Sequence, residues 1–332
     1  MLVAELSGNH NHDFDLAVEM IRAAGQAGAD AIKLQTYTRD TITIDCSNEH
    51  FRIGEGMLWA GKTLYQLYDE ASTPWEWQPK LKKVANEEGM ELFSSPFDHT
   101  AVDFLEEMGV PCYKIASFEI VDIPLIRKVA ATGKPMILST GMATIEEIEE
   151  AVAAAREAGC QQLCLLKCTS AYPASPEMMN LRAIPDLADR FSVVTGLSDH
   201  TLNPEVPLTA VALGARMIEK HFTLSRAAGG PDSAFSLEPD EFRAMVESVR
   251  LVEQSLGSVT YGAGESEHDS RLFRRSLFVV EDVEEGEPFT GENVRSIRPG
   301  IGLHPRHLDE VTGRRAAMAI SRGTPLSWDH IT

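Results

Sequence analysis

Positive charge is scarce in this sequence. Thirty Lys and Arg stand against fifty Asp and Glu, a net charge of −20, so the surface repels polyanions, and nucleic acid is not expected as a partner. Long apolar runs are missing as well. None approaches the roughly 20 residues that span a bilayer, so no membrane partner is expected either. Cysteines are few and odd in number, five in 332 residues. The chain opens on the strand-like "LVAEL" without the basic, apolar and small-residue succession of an export signal. Together these predict reduced thiols and a cytoplasmic location. A glycine-rich phosphate loop is also absent: "AELSGNHNHD" after the first apolar run holds no G-x-G-x-x-G, which argues against an open dinucleotide-binding sheet.

What is present is enough apolar material, 43% of the residues, for one large domain and a small one. Short apolar runs alternate with amphipathic segments. "LVAEL" precedes a helical pattern over 13–27, "AIKLQT" one over 75–88, "MELFSS" one over 98–108 and "CYKIAS" one over 123–131. "MILST" precedes 144–158, "LCLLKC" roughly 180–189, "SVVTGLS" 204–213 and "MIEKH" 239–256. Continuous apolar strands flanked by helices imply a parallel sheet covered on both faces. Eight such pairs in about 250 residues predict a closed (β/α)8 TIM barrel over 1–258. Thr144 and Glu147 form the pattern of a capping box, and Gly159 is placed to end the helix they begin. Two long segments, 37–73 and 223–238, follow strands and should lie over the catalytic face. The pattern then breaks. A Gly/Ser-rich, charged linker over 259–275 leads to a turn-rich tail, 276–332, that reads as a small β-rich domain.

In such a barrel the C-terminal strand ends point into a common site. Here they carry Glu5; Lys33 and Gln35; Ser94 and Ser95; Lys114, Ser117 and Glu119; Ser139 and Thr140; Thr169 and Ser170; Ser198 and His200; Glu219 and His221. A strand-end serine alone is usually a turn or cap residue. Lysines inside apolar runs are different, because an unpaired buried ammonium costs several kcal/mol. Lys33 and Lys114 with the surrounding hydroxyls read as a cradle for a phosphate, the local cation source that an acidic protein needs for an anionic substrate.

His200 in "GLSDHT" and His221 in "EKHFT" end successive strands and predict a divalent-metal site completed by water and substrate oxygens. The nitrogen and oxygen ligands admit manganese, cobalt, iron, zinc or magnesium. The "HNHD" at 10–13 offers a rival, the H-x-H of amidohydrolase-type hydrolases. That reading needs histidines after the fifth and sixth strands, where Ser139 and Ser170 stand instead. Cys160, Cys164 and Cys168 recur every fourth residue, yet "QLCLLKC" is short and apolar, so they are expected in a buried strand and not in a thiolate site.

Taken together, "AELSGNHN", "AIKLQTYT", "LFSSPFD", "YKIASFEI", "STGMA", "LKCTSAYP", "GLSDHT", "ALGARMIEKHFT" and "RSIRPGIGLHP" resemble the sialic acid synthase family nearly end to end. The tail is similar to that family's antifreeze-like (SAF) domain. The resemblance implies a C–C bond-forming transferase that condenses phosphoenolpyruvate with the open-chain form of an acylated amino sugar, giving a nine-carbon 2-keto acid and phosphate. It implies a divalent ion, manganese foremost, on His200 and His221. Glu5, Glu119 and Lys114 match catalytic positions. Lys114, Ser95, Ser117, Ser139, Ser170 and Ser198 match groups that hold phosphoenolpyruvate, and Lys33, Gln35, Tyr172 and Asp232 match sugar-binding positions. It further implies a domain-swapped homodimer in which Arg298 of "RPG" reaches the partner's sugar. Three departures stand out: the chain starts directly at "MLVAEL", where relatives carry an extra segment; His12 replaces a common glycine; and Ser170 stands where the N-acetylneuraminate enzymes have asparagine. An alternative of another class, a non-catalytic glycan-binding protein, would rest on the turn-rich tail alone.

Overall fold

The computed structural model describes residues 1–56, 58–262 and 264–332. Its eight apolar runs close into a parallel barrel in chain order: β1 (Leu2–Glu5), β2 (Ala31–Thr36), β3 (Glu91–Pro96), β4 (Tyr113–Ile115), β5 (Met136–Ser139), β6 (Leu163–Cys168), β7 (Val194–Asp199) and β8 (Met217–His221). One helix follows each strand in the barrel wall: α1 (Phe14–Gln26), α2 (Gln78–Glu87), α3 (His99–Met108), α4 (Ile123–Ala130), α5 (Ile145–Glu157), α6 (Ala183–Phe191), α7 (Glu205–Ala212) and α8 (Pro239–Leu256).

Strand alternation divides the side chains between the helix layer and the barrel interior. Outward residues such as Leu2, Ala4, Ile32, Leu34, Leu197 and Ile218 pack on the helices. Inward residues Val3, Ala31, Phe93, Ile137, Cys164, Leu166 and Met217 fill the floor. The next inward positions toward the C-terminal ends are polar on most strands, among them Glu5, Lys33, Ser95, Ser139 and Glu219, so apolar packing gives way to chemistry within one strand.

The predicted caps form: the Thr144 hydroxyl accepts from Glu147 N (3.3 Å), and the Glu147 carboxylate accepts from Thr144 N (2.7 Å). Gly159 takes φ +109° just past the end of α5. Helix α6 starts and ends two to three residues later than the sequence pattern suggests. Its buried stripe is Ile184, Leu187 and Phe191, a spacing that carries the helix on to Phe191. The long segment after β2 carries local structure among its described residues. It contains helices Arg39–Ile42 and Leu64–Ala71 and a 3-10 turn at Glu49–Phe51. Cys160, Cys164 and Cys168 are buried free thiols in and beside β6, as a core strand requires.

The chain divides into two compact units, Met1–Gly257 and Ser258–Thr332. In the second, β9 (Ser276–Val279) pairs antiparallel with β10 (Val294–Ile297). Isolated bridges such as Val283↔Ile320 and Ala316↔Ile331 draw the turns around a core of Leu277, Val279, Phe289, Val294, Val311 and Leu326. Among the described residues, no helix is long and apolar enough to cross a membrane.

Candidate active site

The loop after β1 shapes one side of the barrel mouth. The Asn9 side-chain amide donates to Phe222 O (3.0 Å) and Ser236 Oγ (2.8 Å), tying β1 to β8 and to the long loop after it. Gly8 has no room for a side chain, since a Cβ there would lie 2.7 Å from the Ala71 Cα. The helix Leu64–Ala71 therefore packs directly on the "SGN" turn. A cavity of about 590 Å³ opens above the polar layer. Its lining includes Lys33, Gln35, Lys114, Ser117, Glu119, Ser139, Tyr172, Ser198, His200, Glu219, His221 and Asp232.

Eleven of the fifteen residues that the resemblance assigns to the site thus share one cavity, joined by the strand-end Glu219. Glu5 and Ser95 are buried just beneath it: Glu5 forms an ion pair with Lys33, whose ammonium also lies 3.5 Å from Ser95 Oγ. Ser170 sits to one side, 3.9 Å from Cys168 Sγ, and converges with Ser117 on Gly141. A Cβ at Gly141 would lie 2.3 Å from Ser170 Oγ and 2.7 Å from Ser117 Oγ, and the Gly141 N–H donates to Ser117 Oγ (3.2 Å). The glycine of "STGMA" is therefore the residue that lets two hydroxyls and a backbone amide crowd one spot. Arg298 follows β10 in the second unit.

The central feature is one whose partners the sequence did not reveal. Glu219, inward on β8 two residues before His221, accepts from Lys114 Nζ with both oxygens (3.0 and 2.9 Å) and from Ser198 Oγ (3.3 Å), and lies 3.6 Å from Lys33 Nζ. Burial opposes its charge, but Lys114 and Lys33 outweigh burial and hold it down at about 2. Two lysines and two carboxylates thus alternate across the barrel. Burial lowers Lys114, with Glu219 opposing, whereas Glu219 and Glu5 hold Lys33 above its usual range in spite of burial. Burial pushes Glu5 up, with Lys33 pulling it back.

Glu119 stands apart from this network. Burial raises its carboxyl to about 7, and its Oε2 has no hydrogen-bond partner. Ser139 Oγ is likewise buried and unpartnered. Unsatisfied buried polar atoms carry a penalty that a ligand can relieve.

His200 and His221 face each other with ring centroids 5.3 Å apart, and Phe235 packs edge-on against both. Tyr172 lies 4.6 Å from the His200 ring. His200 Nδ1 lies 2.9 Å from the Thr169 carbonyl oxygen. A proton on Nδ1 satisfies that contact and leaves Nε2 free, the arrangement typical of metal-ligating histidines. His221 is kept neutral by burial, and its Nδ1 has no hydrogen bond, the Asp232 carboxylate lying 3.5 Å away. Two imidazoles with uncommitted nitrogens in a polar cavity fit a divalent ion that completes its shell with water and substrate oxygens. Among the described residues, no three His, Cys, Asp or Glu converge to hold an ion by themselves.

The first histidine of "HNHD", His10, is structural. His10 Nε2 contacts Thr73 Oγ1 (2.9 Å), its Nδ1 accepts from His12 N (3.2 Å), and burial lowers it to about 4. With both His10 ring nitrogens engaged, the H-x-H reading loses one of its two ligands.

The NeuB family pattern matches residues 20–261, and the SAF domain pattern matches residues 274–332. Pseudaminic acid synthase of Helicobacter pylori is 44% identical over 331 residues, which is 99% of this chain and 97% of that one. N,N'-diacetyllegionaminic acid synthase of Legionella pneumophila is 37% identical, covering 99% of this chain and 94% of that one. Among solved structures, the N-acetylneuraminic acid synthetase of Leptospira borgpetersenii, in complex with citrate, superposes with a TM-score of 0.72 at 34% identity. It covers 81% of this chain, and 89% of its own length is matched.

Proposed function

The chain belongs to the NeuB family, and from that premise we propose that it condenses phosphoenolpyruvate with open-chain 2,4-diacetamido-2,4,6-trideoxy-L-altrose to give pseudaminic acid and phosphate. The observation that carries this reading is the single cavity in which two lysines, a ring of hydroxyls, two histidines and an isolated carboxyl of raised affinity for protons face one another. The greater identity to the pseudaminate enzyme than to the legionaminate enzyme, 44% against 37%, favours this sugar.

On this reading the cavity divides by chemistry. Lys114, Ser117, Ser139 and Ser198 hold the phosphate and carboxylate of phosphoenolpyruvate, with the Gly141 turn and Ser170 behind them and Ser95 beneath. Lys33, Gln35, Tyr172 and Asp232 bind the sugar. A divalent ion, manganese foremost, held by His200 and His221 would supply Lewis acidity toward the aldehyde oxygen. The enol C3 bonds to the aldehyde carbon, and C2 becomes an oxocarbenium ion beside Glu5 and Glu119. Glu119 takes a proton from the water that adds to C2. The C2–O bond to phosphate then breaks as the new hydroxyl becomes the ketone. Of the two protons of that water, one ends on the former aldehyde oxygen and the other on the departing phosphate.

The test is phosphate release from phosphoenolpyruvate across three sugars: the altrose, N-acetylmannosamine and the diacetamido-mannose of the legionaminate route. Release is expected with the altrose in manganese and is expected to stop in chelator. Preference for either other sugar would move the chain to the N-acetylneuraminate or legionaminate branch, and silence with all three would overturn the reading.

The same reading includes a homodimer in which the small domain of one chain covers the partner's barrel mouth, bringing Arg298 to the sugar. Support comes from apolar residues exposed on loops at the strand ends, Phe118 (57%), Met142 (61%) and Leu202 (42%), which a covering surface would bury. Mixing an Arg298→Ala chain with a Glu119→Gln chain is expected to restore part of the activity, because one of the two mouths in a mixed dimer is then intact. No recovery in confirmed heterodimers would contradict a shared mouth. The unpaired cysteines support a cytoplasmic setting for the reaction.

A further inference from the structure

The histidine pair sits at the C-terminal ends of β7 and β8, His200 just past the first and His221 closing the second, and behind it, on the helix-facing side of the same strands, lies a second buried ion pair. Asp199 and Lys220 are register partners across the two strands. Both are essentially inaccessible to solvent. Lys220 Nζ donates to Asp199 Oδ2 (2.9 Å) and also to the Thr201 carbonyl oxygen. Asp199 Oδ1 in turn accepts from Thr201 N (2.9 Å).

The connectivity is specific. Asp199 and Thr201 are the residues on either side of His200, and Lys220 is the residue before His221. One ammonium therefore grips the chain at both neighbours of one histidine while being the neighbour of the other. Strand alternation turns Asp199 and Lys220 outward and the histidines inward, so the pair touches neither the cavity nor a ligand in it.

Apolar packing would fill this place with less loss of solvation. Leu197 and Ile218, the preceding outward residues of the same strands, do so in the helix-facing core. Burying an ion pair is often no more stabilising than an apolar pair of similar volume. What the ionic pair adds is direction: three hydrogen bonds that fix where the two strand ends stop relative to each other.

We propose that Asp199 and Lys220 are positioning residues that set the separation and orientation of His200 and His221 from outside the barrel. This rests on the reading of those imidazoles as the holders of a divalent ion. The test uses the full-length chain and manganese alone, bound manganese being followed by electron paramagnetic resonance and thermal unfolding being recorded separately without metal. The Asp199→Leu/Lys220→Met double variant removes the pair without leaving a lone buried charge and is expected to unfold near the wild-type temperature. Its manganese affinity is expected to fall about 10- to 100-fold, the usual effect of losing an outer support of a metal ligand. Asp199→Asn/Lys220→Gln keeps an acceptor for Thr201 N, removes the ammonium and likewise leaves no lone buried charge. It is expected to weaken manganese binding in the same direction and covers the case in which the first double variant does not fold. Wild-type manganese affinity in either folded variant would overturn the proposal. Failure of the underlying reading would look different: the wild-type chain and His200→Ala would then be alike in taking up no manganese.

Discussion

Replacing Glu119 with glutamine is expected to lower kcat by about 10²–10⁴-fold, the range associated with loss of a general base. The carboxyl is buried, which raises it to about 7, and one of its oxygens is unpartnered. A carboxylate at its ordinary value would be a weak base toward water, and burial makes this one a better base while leaving it part-ionised at neutral pH. The direction of the pH dependence follows. Only the ionised form accepts a proton, so wild-type kcat should be level above about 7 and should fall about tenfold per pH unit below that midpoint. In Glu119→Gln that acid limb should vanish along with most of the rate, while manganese binding stays unchanged because Glu119 is not among the histidines' contacts. A wild-type profile with no inflection near neutrality, or a glutamine variant that keeps it, would remove Glu119 from this role.

Much of this site was legible because strand alternation is a strict rule. Once eight apolar runs are taken as parallel strands, residues two apart share a face, and Lys33 with Gln35, Ser198 with His200, and Glu219 with His221 must point inward together. What alternation does not give is pairing across the barrel. Glu219 stood among the strand ends without a partner, because its contacts to Lys114 and Lys33 depend on how far each side chain reaches over a cavity whose width the sequence does not state. Loop contributions were hidden for a related reason. Ser7 donates a hydrogen bond to Asp232, and Asn9 bonds Ser236, across more than two hundred residues, and no local pattern marks such contacts. The histidines of "HNHD" show the converse. Their spacing resembled a ligand motif, and only the position of Thr73 opposite His10 shows that the ring is already satisfied.

The inward pair Lys114–Glu219 and the outward pair Asp199–Lys220 each have one member on β8, the adjacent Glu219 and Lys220, and they should answer mutation differently. Glu219→Gln leaves the Lys114 ammonium in the barrel without its counter-charge, and removing one partner of a buried pair typically costs about 3–5 kcal/mol. Lys33 offers no relief, since it carries the same charge and is itself engaged by Glu5. Denaturant unfolding of the barrel should therefore show a large loss in this single variant. In Lys114→Met/Glu219→Leu no lone charge remains, and most of that loss should be recovered. Activity should not return with it if, as proposed, Lys114 is also the cation that receives phosphoenolpyruvate. A double variant that regained both stability and turnover would mean that the inward pair, like an ordinary core pair, serves the fold alone. Recovery of stability without turnover would show that the barrel keeps its charges for the substrate, at positions where apolar side chains would hold the structure equally well.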